Sequence, residues 1–531
     1  INLYGPEIAD AFVSFGGMVS DAAQVVGAAI SSAFEDAGGA IVSGFNAAGD
    51  AIASGYRAFV DTMSHFDQRA LQFAATLVST FDLAYSETAA TLLGLGYDIQ
   101  GVAEAFAQVF RLSVEQAVTV LRDTFQAAAS EVASALESAY AATASVVAGA
   151  LRDAGYAIDE IVTGIHHAYA VTVAGFVTLL ADLQYGYNQI ASALSDALDV
   201  GAAALATVFK ALDYTVTQIA DALSQIYDAA DAAAATVLKA VGFAVSEVAT
   251  ALQSVYRDAA AVAARVLQTV GYLANEIATG LRDAYQAAAA QVAQILKSLA
   301  IAADQVASAL AGVYAAAAAE VAALLSAAGY VVDEVARALS DVFHETVAGV
   351  ATLLRNVGYA IGEITRVLDA VFAQSVAAIA GILGQIGYAV DQIGAALQSV
   401  LNVAAGVLSG VLKDLGYTID QIGGVLESVY NLAAAAAASV LRDIGYAVAQ
   451  IGAVLQSVFQ EAAAGAAAIL KTIGASVQEI ASILQTTFGQ AVEAVGSLLA
   501  SIGFTSDVIA SIGGAFTSFG NDVVDFFKGL F

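Results

Sequence analysis

The chain has 531 residues, of which 59% are hydrophobic and only 13% charged, against roughly 45–50% and 25% in average soluble proteins. It has no cysteine or tryptophan, a single proline and 46 glycines, which excludes disulfides, thiolate metal sites and cysteine nucleophiles. Forty-nine acidic against 18 basic residues give a formal net charge of −31, which repels a phosphate backbone and argues against a nucleic-acid partner.

The opening Ile1-Asn2-Leu3 carries no initiator methionine and no basic-then-apolar leader, as expected of a processed, trimmed or partial chain, and a cleaved export signal would fit. Residues 1–66 form an N-terminal segment with an 11-residue repeat, seen in Ala29–Phe34, Ala40–Phe45 and Ala51–Tyr56. That period is 3.67 residues per turn and keeps an apolar stripe nearly straight along a helix. Residues 8–60 are therefore predicted to form one or two long amphipathic helices, with Phe34, Phe45 and Tyr56 as candidate assembly contacts.

From about residue 67 to 510 a period of 29 residues governs the chain. Glycines stand at Gly329, Gly358, Gly387, Gly416, Gly445, Gly474 and Gly503, and the same frame recovers Gly242, Gly271, Gly155 and Gly96. The gap from Gly96 to Gly155 is one unit of 29 plus one of 30, and Gln184, Asp213 and Ala300 occupy the glycine position elsewhere. About sixteen such units fit, and a fixed period of this size predicts an all-α solenoid in which each unit buries its apolar face on its neighbours. Counted from the glycine, Ile or Val recurs at the sixth position (Ile393, Ile422, Ile451) and Leu at the tenth (Leu397, Leu426, Leu455). An aromatic recurs at the fourteenth (Tyr314, Phe343, Tyr430) and Leu at the twenty-fifth (Leu412, Leu441, Leu470). Spacings of three and four are helical, and no alternation by two appears.

Each unit reads as two short helices. Thr215 with Gln218, Thr418 with Gln421 and Ser476 with Glu479 form capping boxes after the glycine position, and Ser113 with Gln116 forms one after the aromatic position. Thr143, Thr172, Thr346 and Ser375 fall in that second N-cap column. Acids gather in the first turn (Asp159, Glu247, Glu276, Asp391, Asp420), and bases sit three residues before the glycine (Arg152, Lys210, Lys239, Lys297, Arg355, Lys413, Arg442, Lys471), as the helix dipole favours. The glycine suits a left-handed helix end. The same apolar spacing also fits one unbroken helix of about 26 residues per unit. Proline at Asn431 is expected to separate the two, being tolerated at a helix end and costly inside a helix. Residues 511–531 are a Phe-rich capping or docking segment, with Phe516, Phe519, Phe526 and Phe527 as further assembly candidates.

No residue set announces catalysis, a cofactor or a metal. His166 and His167 are adjacent and so diverge by about 100° on a helix, while His65 and His344 lack any ligand spacing. The pairs Asp159-Glu160 and Asp333-Glu334 sit in a helix first turn, where capping explains them. The repeat-turn steps Gly329-Tyr330, Gly358-Tyr359, Gly387-Tyr388, Gly416-Tyr417 and Gly445-Tyr446 lack the phosphate-loop patterns, and their tyrosines are expected to staple one turn to the next. Uncharged stretches such as 370–390 reach 21 residues but contain Gln374, Gln385 and the Gly387-Tyr388 step. Whether any of them could span a bilayer depends on the turn, because a helix of 11 or 12 residues covers only about 17 Å of a core about 30 Å thick.

The pattern of Leu412–Tyr430, with a base, Gly-Tyr, Ile, Leu and a second aromatic in fixed places, resembles alanine-rich helical repeats in very large bacterial and archaeal surface or secreted proteins. The resemblance covers about residues 67–510. It implies an extracellular or cell-surface scaffold and transfers no catalytic residue. The expected function is accordingly structural: a self-assembling filament, sheath or adhesive scaffold whose partner is itself. The alternative is a lipid-associated or channel-forming assembly, or a phage-tail or injection-apparatus component.

Overall fold

Short amphipathic segments with a cap at each end should fold as short helices, and the computed structural model has that form. It describes residues 84–94, 97–505 and 507–509, so the 11-residue repeats with Phe34, Phe45 and Tyr56, Gly96, and the tail with Phe516, Phe519, Phe526 and Phe527 lie outside the described residues. Among the described residues the protein is an all-α helical-repeat solenoid of 29 successive helices without strands. Each 29-residue unit turns twice, which rules out the unbroken 26-residue helix. In one unit, for example, the first helix is Ile419–Ser428 and the second Ala434–Asp443.

The caps form as the sequence implies. Thr418 and Ser476 accept from the amides of Gln421 and Glu479 while those side chains reach back, and Thr143, Thr172, Thr346 and Ser375 cap the second helices. Where the first N-cap lacks a hydroxyl, the acid three residues on still accepts from its backbone N–H, as in Ala157 N to Glu160 (2.8 Å) and Leu273 N to Glu276 (2.7 Å). This answers one of the donors that a helix start leaves unpaired.

The chain divides into two compact units, residues 1–259 and 260–531. Within each, first helices pack against first helices of neighbouring repeats, second helices form another layer, and the core lies between the layers. In the repeat beginning at Tyr417 that core is Ile422, Val425 and Leu426 from the first helix with Ala437, Ala438 and Leu441 from the second, all at most 1% exposed. Each fully buried Leu or Ile contributes roughly 1.5–3 kcal/mol.

Neighbouring first helices fit by trading volume. A Cβ on Gly394, Gly423 or Gly452 would meet Val425 Cγ1 at 2.8 Å, Val454 Cγ1 at 2.7 Å or Ile483 Cγ2 at 2.5 Å of the following repeat. Where the following repeat offers Ala309 or Ala338 instead, the earlier position holds Ala278 or Ala307, and all four are fully buried. Gaps are costly in a close-packed interior and so are overlaps, so in these repeats the two positions trade volume, although fully buried Ala336 and Val367 show that the trade is not followed in every repeat.

Two features depart from expectation. The 30-residue unit is absorbed by lengthening a second helix, Val114–Phe125, so that Gln126 takes the left-handed turn and its amide bonds to Arg122 O. The expected tolerance of proline at Asn431 is overturned: a helix does end there, but Asn431 has φ +51°, which proline cannot adopt.

Candidate functional site: the seam between repeats and a cleft at its break

The glycine turn is a left-handed helix end. Gly329, Gly358, Gly387, Gly416 and Gly445 have φ of +86°, +104°, +88°, +85° and +83°. The Gly416 amide bonds Lys413 O at 2.9 Å and the Tyr417 amide bonds Leu412 O at 3.0 Å, closing the helix on itself.

The residue after the glycine joins repeats. Tyr330 is 4% exposed and donates its hydroxyl to Ile301 O, 29 residues earlier, at 2.7 Å; Tyr156 does the same to Ala127 O at 2.7 Å. Tyr417 fits because Gly384 leaves room, since a Cβ there would lie 2.6 Å from its hydroxyl. The Tyr359 hydroxyl is buried without a hydrogen-bond partner. The aromatic column at the first helix end is a second staple, with Tyr169, Tyr256 and Tyr314 donating to Ala142 O, Ala229 O and Ala287 O at 2.7, 3.0 and 2.6 Å, each 27 residues back. Burial pushes the Tyr156, Tyr169, Tyr256 and Tyr330 phenols up to about 12, so they remain donors far into the alkaline range.

The basic column acts across the seam in the other direction. Lys413 Nζ donates to Ile444 O of the next repeat at 2.6 Å and lies 4.8 Å from the Tyr446 ring; Lys210 Nζ donates to Val241 O at 3.0 Å and lies 4.4 Å from the Phe243 ring. Lys471 repeats this with Ile502 O and Phe504, Arg355 lies over Tyr388 at 4.9 Å, and Lys297 over Tyr330 at 3.8 Å. Sequence reasoning assigned these bases only to the dipole of their own helix. Their partners lie 31–33 residues away and become visible only once the register between repeats is known.

The remaining polar candidates serve the scaffold. Glu334 accepts from the Val331 amide (3.1 Å) and Asp333 pairs with Arg366 (2.8 Å). Asp221 accepts from Tyr187, Asn188 and Gln225 at 2.8, 2.8 and 2.6 Å; burial opposes its charge, but these three donors hold its carboxyl below the usual range. His344 is an exposed left-handed helix end with φ +56°. Among the described residues no three His, Cys, Asp or Glu side chains are grouped to hold a metal, and no helix is long and apolar enough to cross a membrane.

The seam is locally irregular after one first helix. After the helix Ile158–Ala168, Tyr169 is extended (φ −128°, ψ 144°) and no left-handed residue follows, unlike the neighbouring Ala141 and Asp199. A cleft opens there, lined by His166, Val171, Val173 and residues 196–200, with the His166 ring 6.3 Å from that of Phe176. Sequence reasoning gave His166 no role, and nothing local hinted at the break, because Ala170 stands where Ala141, Ala315 and Ala373 turn left-handed.

No protein-family model matches the chain, and no curated protein matches it.

Proposed function

We propose that the protein is a structural, self-assembling scaffold, a filament, sheath or adhesive component acting at the cell surface or outside the cell, with a second copy as its partner. The observation that carries this reading is the outer face of the second-helix layers. Ala174, Ala203, Ala261, Ala290, Ala319, Ala377, Ala435 and Ala464 recur there at multiples of 29 residues, all exposed. Exposed Val146, Val262 and Val407 accompany them. In a chain with net charge −31, charge repulsion between copies is weakest on such a sparsely charged face, which Arg265, Glu320 and Glu493 interrupt, and extended apolar surfaces of this kind mark contacts. A repetitive chain whose acids cap helices and whose bases bind the next repeat leaves little polar chemistry to spare for turnover, so the reading includes no catalytic step.

Negative-stain microscopy of the full chain in detergent-free buffer tests it. Ordered polymers without lipid or cofactor are expected, and removal of residues 1–60 or 512–531 should give short soluble species, because head-to-tail contacts that do not close build open assemblies. A monodisperse monomer contradicts the proposal, and polymers that form only with lipid vesicles favour the lipid-associated alternative.

A further inference from the structure

From Val114 onward every second helix among the described residues begins with Ala or Val, except Asp231–Val241. One repeat later Asp258 stands two positions before a second helix, a place that buried Val200, Ala287, Ala316 and Val403 fill in other repeats. The acids found there elsewhere, Glu345 and Glu461, reach along their own helices to Gly349 and Gly465. Asp258 instead meets Asp231, because the Tyr256 hydroxyl donates to Ala229 O at 3.0 Å and so ties the loop before Asp231 to the loop that carries Asp258. Asp231 Oδ1 accepts from the Ala232 amide at 2.6 Å, while Asp258 Oδ2 is buried without a hydrogen-bond partner. The charges that bear on this spot are the two carboxylates and, through Tyr256, Asp221; the adjoining Arg257 is exposed, and no ion pair reaches either acid among the described residues. Burial, and then the charge of Asp231, pushes the Asp258 carboxyl above its usual range. A buried, unpaired carboxylate oxygen is costly, whereas a protonated one is a donor.

We propose that Asp231 and Asp258 make this one seam acid-sensitive: on acidification Asp258 takes a proton from water and its hydroxyl donates to the Asp231 carboxylate, which bridges the two repeats. At neutral pH both are charged, and their repulsion presses apart the loops that Tyr256 ties. The sign follows from the folded Asp258 carboxyl lying above its unfolded value. The stability it gives is fully present below that unfolded value, about 3.9, and is lost as the pH rises through the folded one. The seam therefore tightens in acid and loosens towards neutral pH.

Amide hydrogen exchange of the full chain, read by mass spectrometry and corrected for the intrinsic pH dependence of exchange, tests this. The helix Val245–Ser254 reports on the acid pair, and Ala303–Tyr314 is the control, because Ala289 and Ala316 stand at the corresponding places beside the Tyr314 staple. Protection of the first should fall several-fold from about pH 5 to about pH 7.5, and that of the second less than about twofold. Asp258→Asn, which keeps a donor and carries no charge, should hold the high protection at both pH values. Asp231→Ala, which restores a residue usual at that position, should remove the pH dependence. Asp228→Asn, at the exposed left-handed end of the same connection, should leave the fall in place. Circular dichroism checks that each variant folds. An equal fall in both helices, or one that Asp228→Asn also removes, would assign the effect to the charge of the whole chain and overturn the proposal. So would a fall that persists in Asp231→Ala or in Asp258→Asn. The scaffold reading does not depend on this result, since assembly is read separately by microscopy.

Discussion

The two turns of each repeat solve one problem with different residues. Both reverse the chain through a left-handed residue. At the first this is usually glycine, with φ from +81° to +104°, while at the second it is Ala141, Asp228, Gln286, Ala315, Ala373 or Asn431, with φ from +48° to +56°. A side chain in the left-handed region costs roughly 1–2 kcal/mol. Yet the second turn persists because the staples beside it, such as the Tyr314 hydroxyl on Ala287 O, tie it to the preceding repeat. Local conformation pays for tertiary bonding at one turn and not at the other.

The largest way to break this comparison is proline. Asn431→Pro should destabilise the chain by about 3 kcal/mol or more, because the ring fixes φ near −65°. Ala405→Pro, at the first position of a helix and preceded by the extended Ala404 (ψ 148°), should cost less than about 1 kcal/mol. Chemical denaturation of the two variants checks both, and equal losses would place the turn elsewhere. Next in size is the volume trade between first helices. Gly423→Ala should cost roughly 1–3 kcal/mol by overpacking against Val454, and adding Val454→Ala should recover most of it. A double variant no better than the single would contradict the pairing.

A smaller effect sharpens the contrast between the turns. Gly445→Ala, at φ +83°, should lose about 1–2 kcal/mol, while Ala373→Gly, at φ +50°, should gain up to about 1 kcal/mol, since relieved strain outweighs the added freedom of the unfolded chain. Thermal melts of the pair should therefore move in opposite directions.

The staples also set a pH limit. Burial raises the phenols of Tyr156, Tyr169, Tyr256 and Tyr330 to about 12, above the unfolded value near 10. A folded value above the unfolded one means that the stability these groups give is fully present below pH 10 and is lost as the pH rises towards about 12. The share of phenolate absorbance that disappears when these four are replaced by Phe should, in the parent chain, rise across that window together with the loss of helicity. If that share rises near pH 10 in a fully helical chain, the hydroxyls are not held in the seam.

How much of this was legible in the sequence follows from the reach of each interaction. The 29-residue period, the two helices, the caps and the glycine turn are written in residues within four positions of each other, where Ser476 with Glu479 or Lys413 before Gly416 can be read directly. The second turn was legible from its N-cap column, but its left-handed residue was not, because Ala315 and Ala373 carry no left-handed signature. The lysine bridges and the pairing of Gly423 with Val454 join residues 31 apart, and no rule of local spacing reports them. The cleft at His166 arises where one repeat fails to make its turn, and a period found by averaging over repeats conceals such a departure.

The claim beneath all of this is that one repeat is the structural unit and that the seams between regular repeats are equivalent. Deleting Tyr388–Gly416 joins Gly387 to Tyr417 and should leave a shortened chain with unchanged helicity per residue and a melting temperature within a few degrees of the parent. Deleting 388–402 joins a first turn to a second and should lose both the cooperative melt and helicity. Circular dichroism melts that cannot tell the two deletions apart would contradict the account.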